Sequence, residues 1–421
     1  MATALDSKLY TVPRAIDRVQ GTALIVGVVA LVAGLVIAFL SPGGVREALW
    51  RPYLVAFVFW AGASIGALPM IMLGHLTGGA WAIVLRRIFE AATRTLPLVA
   101  LLFLPVAAAV LTRSLYPWTF PELQHEHAIA HKAALYLNIP MFLGRTVLYF
   151  AAWMALAYFL NRWSLSQDTE PDPRVRRRLR ERMQGLSGPG ILLFGATVTF
   201  AAVDWVMSLE PEWFSTIFGL LVMAGWGLTA FAFAINVAVW LSRRENLTGL
   251  FQPRHFHDHG KLLLAFVMLW SYFMFSQYLI IWMGNLPEET PWYLRRLRGG
   301  WQYVALALVL FHFALPFVLL LSRDLKRTGR LVGLVALLVL GMRVVDLFWT
   351  VAPSAASAAG HGVAAPHGAS AALGYALNFI LTVGVGGLWV WYFARQLKQR
   401  PLLPLGDEGL ADALEEKHGH H

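Results

Sequence analysis

The chain contains no cysteine. That absence removes disulfides, thioether-attached haem and Cys-ligated iron–sulfur clusters, so any one-electron chemistry needs a non-covalent cofactor or a partner protein. Charge is scarce as well: 14% of the 421 residues are charged and 58% are hydrophobic. The mean hydropathy is +0.59, far from the balance of a soluble domain. A phosphate-binding glycine loop, a nucleophile triad and a metalloprotease helix are all missing. A b-type haem would need two facing histidines within a bundle, and only His312 lies well inside an apolar run.

What is present describes a polytopic, all-α membrane protein. A span needs about 20 apolar residues at about 1.5 Å rise each. Ten such runs fall at 21–40, 53–74, 96–112, 140–160, 189–207, 215–241, 261–282, 301–321, 330–352 and 372–394. Residues 1–398 form one integral membrane domain and 399–421 a C-terminal tail. Seventeen Trp and 13% aromatics suit many membrane–water boundaries. The first run follows Lys8, Arg14 and Arg18 without a small-residue cleavage site and is expected to stay as a helix. Ten spans place both termini on one side. Lys and Arg on the termini side number 24 against 7 on the other, which predicts both termini cytoplasmic. The formal charge of +10 is spread through these short loops, with its densest cluster in RVRRRLRER at 174–182. That distribution fits orientation beside anionic lipid and argues against nucleic acid.

Polar groups inside the apolar runs carry the functional argument, because each is costly there and normally faces the bundle interior with a partner. DWVMSLEPEWFSTIFG, residues 204–219, opens with Asp204 about one turn below the outer surface and continues to Glu210 and Glu212, with no cation nearby in sequence. Arg145 lies at comparable depth on the fourth span and is its candidate partner. The pair reads as a structural ion pair or as a proton-exchanging acid. Arg343 and Asp346 are i and i+3, on one helical face. With His312 on the eighth span, and Ser271, Tyr272, Ser276 and Gln277 on the seventh, they read as a hydrogen-bonded proton relay or as interhelical glue.

On the cytoplasmic side, PRHFHDHGK at 253–261 offers Asp258 as N-cap of the seventh helix. His75, Asp258 and His259 are a candidate proton access point. In an extended segment His255, His257 and His259 would share a face, but no further ligand at a defined spacing completes a metal site. The loop 353–371 holds two histidines and no fixed charge. The acidic tail segment DEGLADALEEK reads as a docking strand for another subunit or as disorder, and the terminal HGHH has no assigned role.

With its companions, the 204–219 stretch resembles a known family. Together with HDHGKLLLAFVMLWSYFMFSQYLIIWMGNLPEETPW at 257–292 and HLTGGAW at 75–81, it is similar to the second large membrane subunit of alternative complex III, a quinol:cytochrome c oxidoreductase. The resemblance covers nearly the whole chain and implies the NrfD or polysulfide-reductase membrane-subunit superfamily: two four-helix bundles plus peripheral helices in a bacterial cytoplasmic membrane. It implies a homologous NrfD-like membrane subunit, an iron–sulfur subunit, multihaem and monohaem cytochromes c and a terminal oxidase as partners. Haems and iron–sulfur clusters would reside in those partners, with quinone as the possible ligand here. Carried onto this chain, the motif residues are Asp204, His75, Asp258, His259 and Gln277. Three functions follow: a quinone-associated or proton-conducting subunit, a proton-conducting scaffold without quinone, and a stand-alone transporter. The last would favour an internal repeat or paired broken helices, which the sequence does not offer.

Overall fold

The computed structural model describes residues 11–40, 49–121, 132, 134–244, 247, 250–354 and 369–414. Ten helices are long and apolar enough to cross a membrane, and the described residues contain no strand. In chain order they are α1 (Ala15–Leu40), α2 (Trp50–Thr77), α3 (Ala80–Leu111), α4 (Ile139–Thr169), α5 (Pro173–Trp205), α6 (Phe218–Ser242), α7 (Pro253–Gly284), α8 (Trp301–Leu321), α9 (Gly329–Val351) and α10 (Ala369–Leu397). The end where α1 starts and α10 finishes is called the tail end below.

Four helices overrun their apolar stretches toward the tail end, where hydropathy alone set the boundary short. α5 begins at Pro173 rather than 189 because Asp172 caps it, accepting from the Arg174 N–H at 2.8 Å, and because Arg, Leu, Glu and Met are good helix formers. α4 continues to Thr169 and α3 starts at Ala80. α7 starts at Pro253 with Gln252 as its N-cap; the His255 Nδ1 accepts from the Gln252 N–H at 3.1 Å. Asp258 is therefore inside the helix and is not its cap.

α2–α5 pack among themselves, as do α6–α9, and α6 joins the two groups through α2 and α5. The centre is α2 and α6, with 89% and 83% of their apolar windows buried, against 17% for α1, which lies on α10. Close approach explains two glycines. A Cβ on Gly66 would sit 2.1 Å from the Trp226 carbonyl oxygen, so α2 and α6 touch backbone to backbone. A Cβ on Gly387 would sit 2.3 Å from the Gly27 Cα, which seats α1 against α10. An aromatic cluster fills the first group away from the tail end: the Trp205 ring centroid lies 5.4 Å from those of Phe57 and Phe103, 5.8 Å from Trp153 and 6.3 Å from Trp226. It holds the last turn of α5 rigidly, directly beside Asp204.

Candidate functional site: three polar layers in the bundle

The layer farthest from the tail end is built on Asp204, which is fully buried. Arg145 clasps it with two parallel bonds, Nε to Oδ2 at 2.9 Å and Nη2 to Oδ1 at 2.8 Å. The Tyr149 hydroxyl, one helical turn on from Arg145, donates to Oδ2 at 2.7 Å. The guanidinium also donates to the Tyr136 carbonyl at 3.0 Å and lies over the Tyr136 ring at 3.7 Å. Both carboxylate oxygens are thus occupied by charge-matched donors. A quinol hydroxyl does not reach Asp204 here, since the acid is closed to the surface and the chain itself already places donors on both of its oxygens.

Glu210 is equally well matched. The sequence offered no nearby cation, but Arg295 and Arg296, from the short helix Thr290–Arg296, both pair with it, Arg296 at 2.7 Å. Arg296 further donates to the Thr350 carbonyl at 2.6 Å and sits over the Trp292 ring at 3.7 Å. Burial presses its guanidinium down to about 10, although Glu210 pulls the other way. Gln277 is buried in this same layer, accepting from Ser215 at 3.2 Å and donating to Tyr293 at 3.3 Å. Glu212 is exposed. Of the three acids in the 204–219 stretch, one is exposed and two are paired with arginines.

The second layer is deeper. Arg343 and Asp346 form a buried ion pair on α9, as their spacing predicts. Trp270 of α7 donates its indole N–H to Asp346 Oδ2 at 3.2 Å, and its ring meets the His312 imidazole edge-on at 4.1 Å between centroids. The bonding is incomplete: Asp346 Oδ1, Arg343 Nε and both nitrogens of His312 are buried without a hydrogen-bond partner. The backbone places His312 through a π-helical turn, Leu308–Ala314. Pro316 four residues later has no N–H for the His312 carbonyl, which frees that turn to widen. On α7 the expected polar stripe does not form: Tyr272 is 63% exposed, Ser271 and Ser276 are partly buried, and only Gln277 is enclosed. Tyr272 faces away from His312 because the four residues 271, 272, 276 and 277 span more than one helical face.

The third layer lies at the tail end. His75, in the last turn of α2, and His259 on α7 are buried. His259 Nε2 is 3.2 Å from the Trp81 carbonyl, so it is the protonated nitrogen, and Nδ1 has no partner; nor does His75 Nε2. Asp258 does not join them. It turns outward, with its side chain 46% exposed, to Lys261 at 3.6 Å and His257 at 3.8 Å. The helix also separates the three neighbouring imidazoles: His255 and His259, one turn apart, are buried, while His257 points elsewhere. Among the described residues no group of three or more His, Cys, Asp or Glu is placed to hold a metal ion.

Beside this layer is a network with no counterpart in the sequence reading. Arg87 pairs with Glu90 and Asp168, Ser164 donates to Glu90 at 2.6 Å, and Arg400 reaches Glu90 at 3.3 Å. With the third span started at 96, Arg87 and Glu90 read as loop charges; their i, i+3 spacing was the available signal. Tyr149 had a similar signal, four residues from Arg145. Trp270 had none, since its neighbours come from α8 and α9. His361, His367 and the final HGHH lie outside the described residues.

The chain matches no family model and no curated protein.

Proposed function

We propose that this chain is an integral membrane subunit of a respiratory quinol:cytochrome c oxidoreductase of the alternative complex III kind. Its part is a proton-conducting path, with quinol chemistry and electron transfer carried by partner subunits. The resemblance of residues 75–81, 204–219 and 257–292 to an NrfD-like subunit supports the assignment. The excess of Lys and Arg on the tail side supports a cytoplasmic tail end in a bacterial inner membrane.

The observation that carries the proton-conducting role is the half-satisfied layer of His312, Trp270, Asp346 and Arg343. A buried polar atom without a partner is costly, by about 1–3 kcal/mol, and such groups are rare in native interiors. Here four unpartnered atoms lie together, and the two acceptor types among them, a carboxylate oxygen and an imidazole nitrogen, take up and release protons. That division, in which this chain conducts protons and does not itself meet quinone, gains from Asp204, whose two oxygens both carry donors from the chain and so suit fastening better than exchange.

Purification in mild detergent tests the assignment. Haem-staining cytochromes, an iron–sulfur subunit and a second membrane subunit of like topology should accompany the chain. Recovery as a stable single-subunit protein, without haem in the fraction, contradicts it.

A further inference from the structure

Beyond α10 the chain turns back across the tail end and stays bound to it. Lys398 reaches Asp17 of α1 at 2.7 Å. Arg400 pairs with Glu90 of α3 and donates to the Asn161 carbonyl of α4 at 3.1 Å. The Gly406 N–H donates to Asp168 at 3.1 Å, and a Cβ at this position would lie 1.9 Å from the Gln167 carbonyl oxygen, so a side chain here cannot be seated. Asp407 pairs with Arg86 at 2.7 Å. The short helix Leu410–Leu414 then ends on α7: the Ala413 carbonyl accepts from Arg254 at 2.6 Å and from His255 Nε2 at 2.9 Å, and the Leu414 carbonyl accepts from Gln252 at 2.9 Å. The segment therefore bridges α3 and α4 of the first helix group to α7 of the second. Its acidic stretch, as far as residue 414, is folded onto this chain itself.

Two features set this crossing apart from the spans. It follows the last of them, and it is held by ion pairs, single hydrogen bonds and a few buried apolar side chains, Leu402, Leu403, Leu410 and Ala413, with only a five-residue helix among them. Such a segment can leave without unfolding any span. Beneath it lies the third layer, where His75 Nε2, His259 Nδ1 and Gln167 Oε1 are buried without partners. Asp407 is among the charges that bear on His75, and the Gly409 backbone lies over Ile83, two residues from the Trp81 carbonyl that His259 contacts. Acceptors left bare under a cover of this kind call for solvent.

We propose that residues 398–414 are a removable lid controlling solvent access to the His75–His259 layer at the tail end. The lid's effect on proton flow rests on the function proposed above; its opening does not, so the two are measured separately.

The absence of native cysteine makes accessibility measurable with one introduced thiol. Ile83→Cys, buried under Gly409, is reacted with a membrane-impermeant maleimide in the full chain, in membrane vesicles with the tail end exposed. The expected result is slow labelling in the otherwise unchanged chain, several-fold faster labelling with Asp407→Asn, and faster still with Gly406→Val, whose side chain must lift the crossing. Ending the chain after Gln399 should give the highest rate, more than tenfold above the parent. Equal rates in the parent, Asp407→Asn and Gly406→Val chains overturn the proposal, whether or not the truncated chain accumulates. Proton uptake is recorded on the same vesicles and should accelerate in the lid-open variants. Faster labelling with unchanged proton flow keeps the lid and removes its role in proton conduction.

Discussion

Two buried carboxylate–arginine pairs sit in different halves of this molecule, and they differ in how completely they are bonded. Asp204 receives two bonds from Arg145 and one from Tyr149, and neither oxygen is left open. Asp346 receives Arg343 and Trp270 on Oδ2 alone; Oδ1 is bare, and beside the same indole lies a histidine with no hydrogen-bond partner on either nitrogen. Both acids are enclosed and each faces an arginine, Arg145 keeping 18% side-chain exposure against 3% for Arg343, so an enclosed acid beside an arginine does not mark function by itself. Bonding state separates them. A carboxylate with donors on both oxygens is an architectural joint, because a proton added there weakens bonds already made. A half-bonded site already carries the cost of its bare acceptors, and a proton that visits them relieves it.

The comparison breaks first at Asp204. Replacing it with alanine strands the Arg145 guanidinium and should cost about 3 kcal/mol, read as a lower unfolding midpoint in detergent and poor accumulation in the membrane. If Asp204→Ala folds as stably as the parent, the joint reading is wrong. The next effect is at Gly225 of α6, where a Cβ would lie 2.2 Å from the Arg343 Nη2. Gly225→Ala should displace the guanidinium from Asp346, destabilise by about 1–3 kcal/mol as overpacking does, and slow proton movement with it. Unchanged stability and unchanged proton movement would mean that the pair has room to shift.

A smaller change in stability, with a large one in function, is expected at His312. His312→Leu removes two unpartnered polar atoms from an apolar surrounding and should alter stability by about 1 kcal/mol or less in either direction. Proton uptake by vesicles should nevertheless fall steeply. A variant that conducts as well as the parent would place the path elsewhere.

The smallest effect concerns the lid and pH. Burial alone would raise the Asp407 carboxyl, but Arg86 and the Gly409 N–H outweigh it and hold the group below its ordinary value. A depressed folded-state value gives a contribution that is complete above the unfolded value, about pH 4, and is lost as pH falls through the folded one. Amide exchange at Gly406 and Gly409, corrected for the intrinsic rate, should therefore stay protected from about pH 8 to 5 and loosen only below about pH 4. Loosening near neutrality would show that another group governs attachment.

The sequence made the two pairs legible to different depths, for physical reasons. Arg343 and Asp346 share one helix, so spacing alone brings them together. Arg145 and Asp204 lie on antiparallel neighbours, where matching depth along two helices was enough. Trp270 was invisible because its importance depends on how α7, α8 and α9 are rotated against one another, and single-sequence periodicity does not encode that. Asp258 was misplaced for a related reason: as a cap it would have ended a helix, but Gln252 starts α7 six residues earlier and its rotation carries the acid outward. Hydropathy set the tail-end boundaries short because charged residues such as those of 174–182 extend helices as readily as apolar ones. The lid was unreadable, since its own backbone carbonyls and charges bond to side chains more than a hundred residues away.

The most direct measurement is proton translocation per electron in vesicles carrying the intact complex, comparing Asp346→Asn with the parent while electron transfer continues. The account predicts that the ratio falls toward the protons released by quinol chemistry alone. An unchanged ratio in a fully assembled Asp346→Asn complex would contradict it.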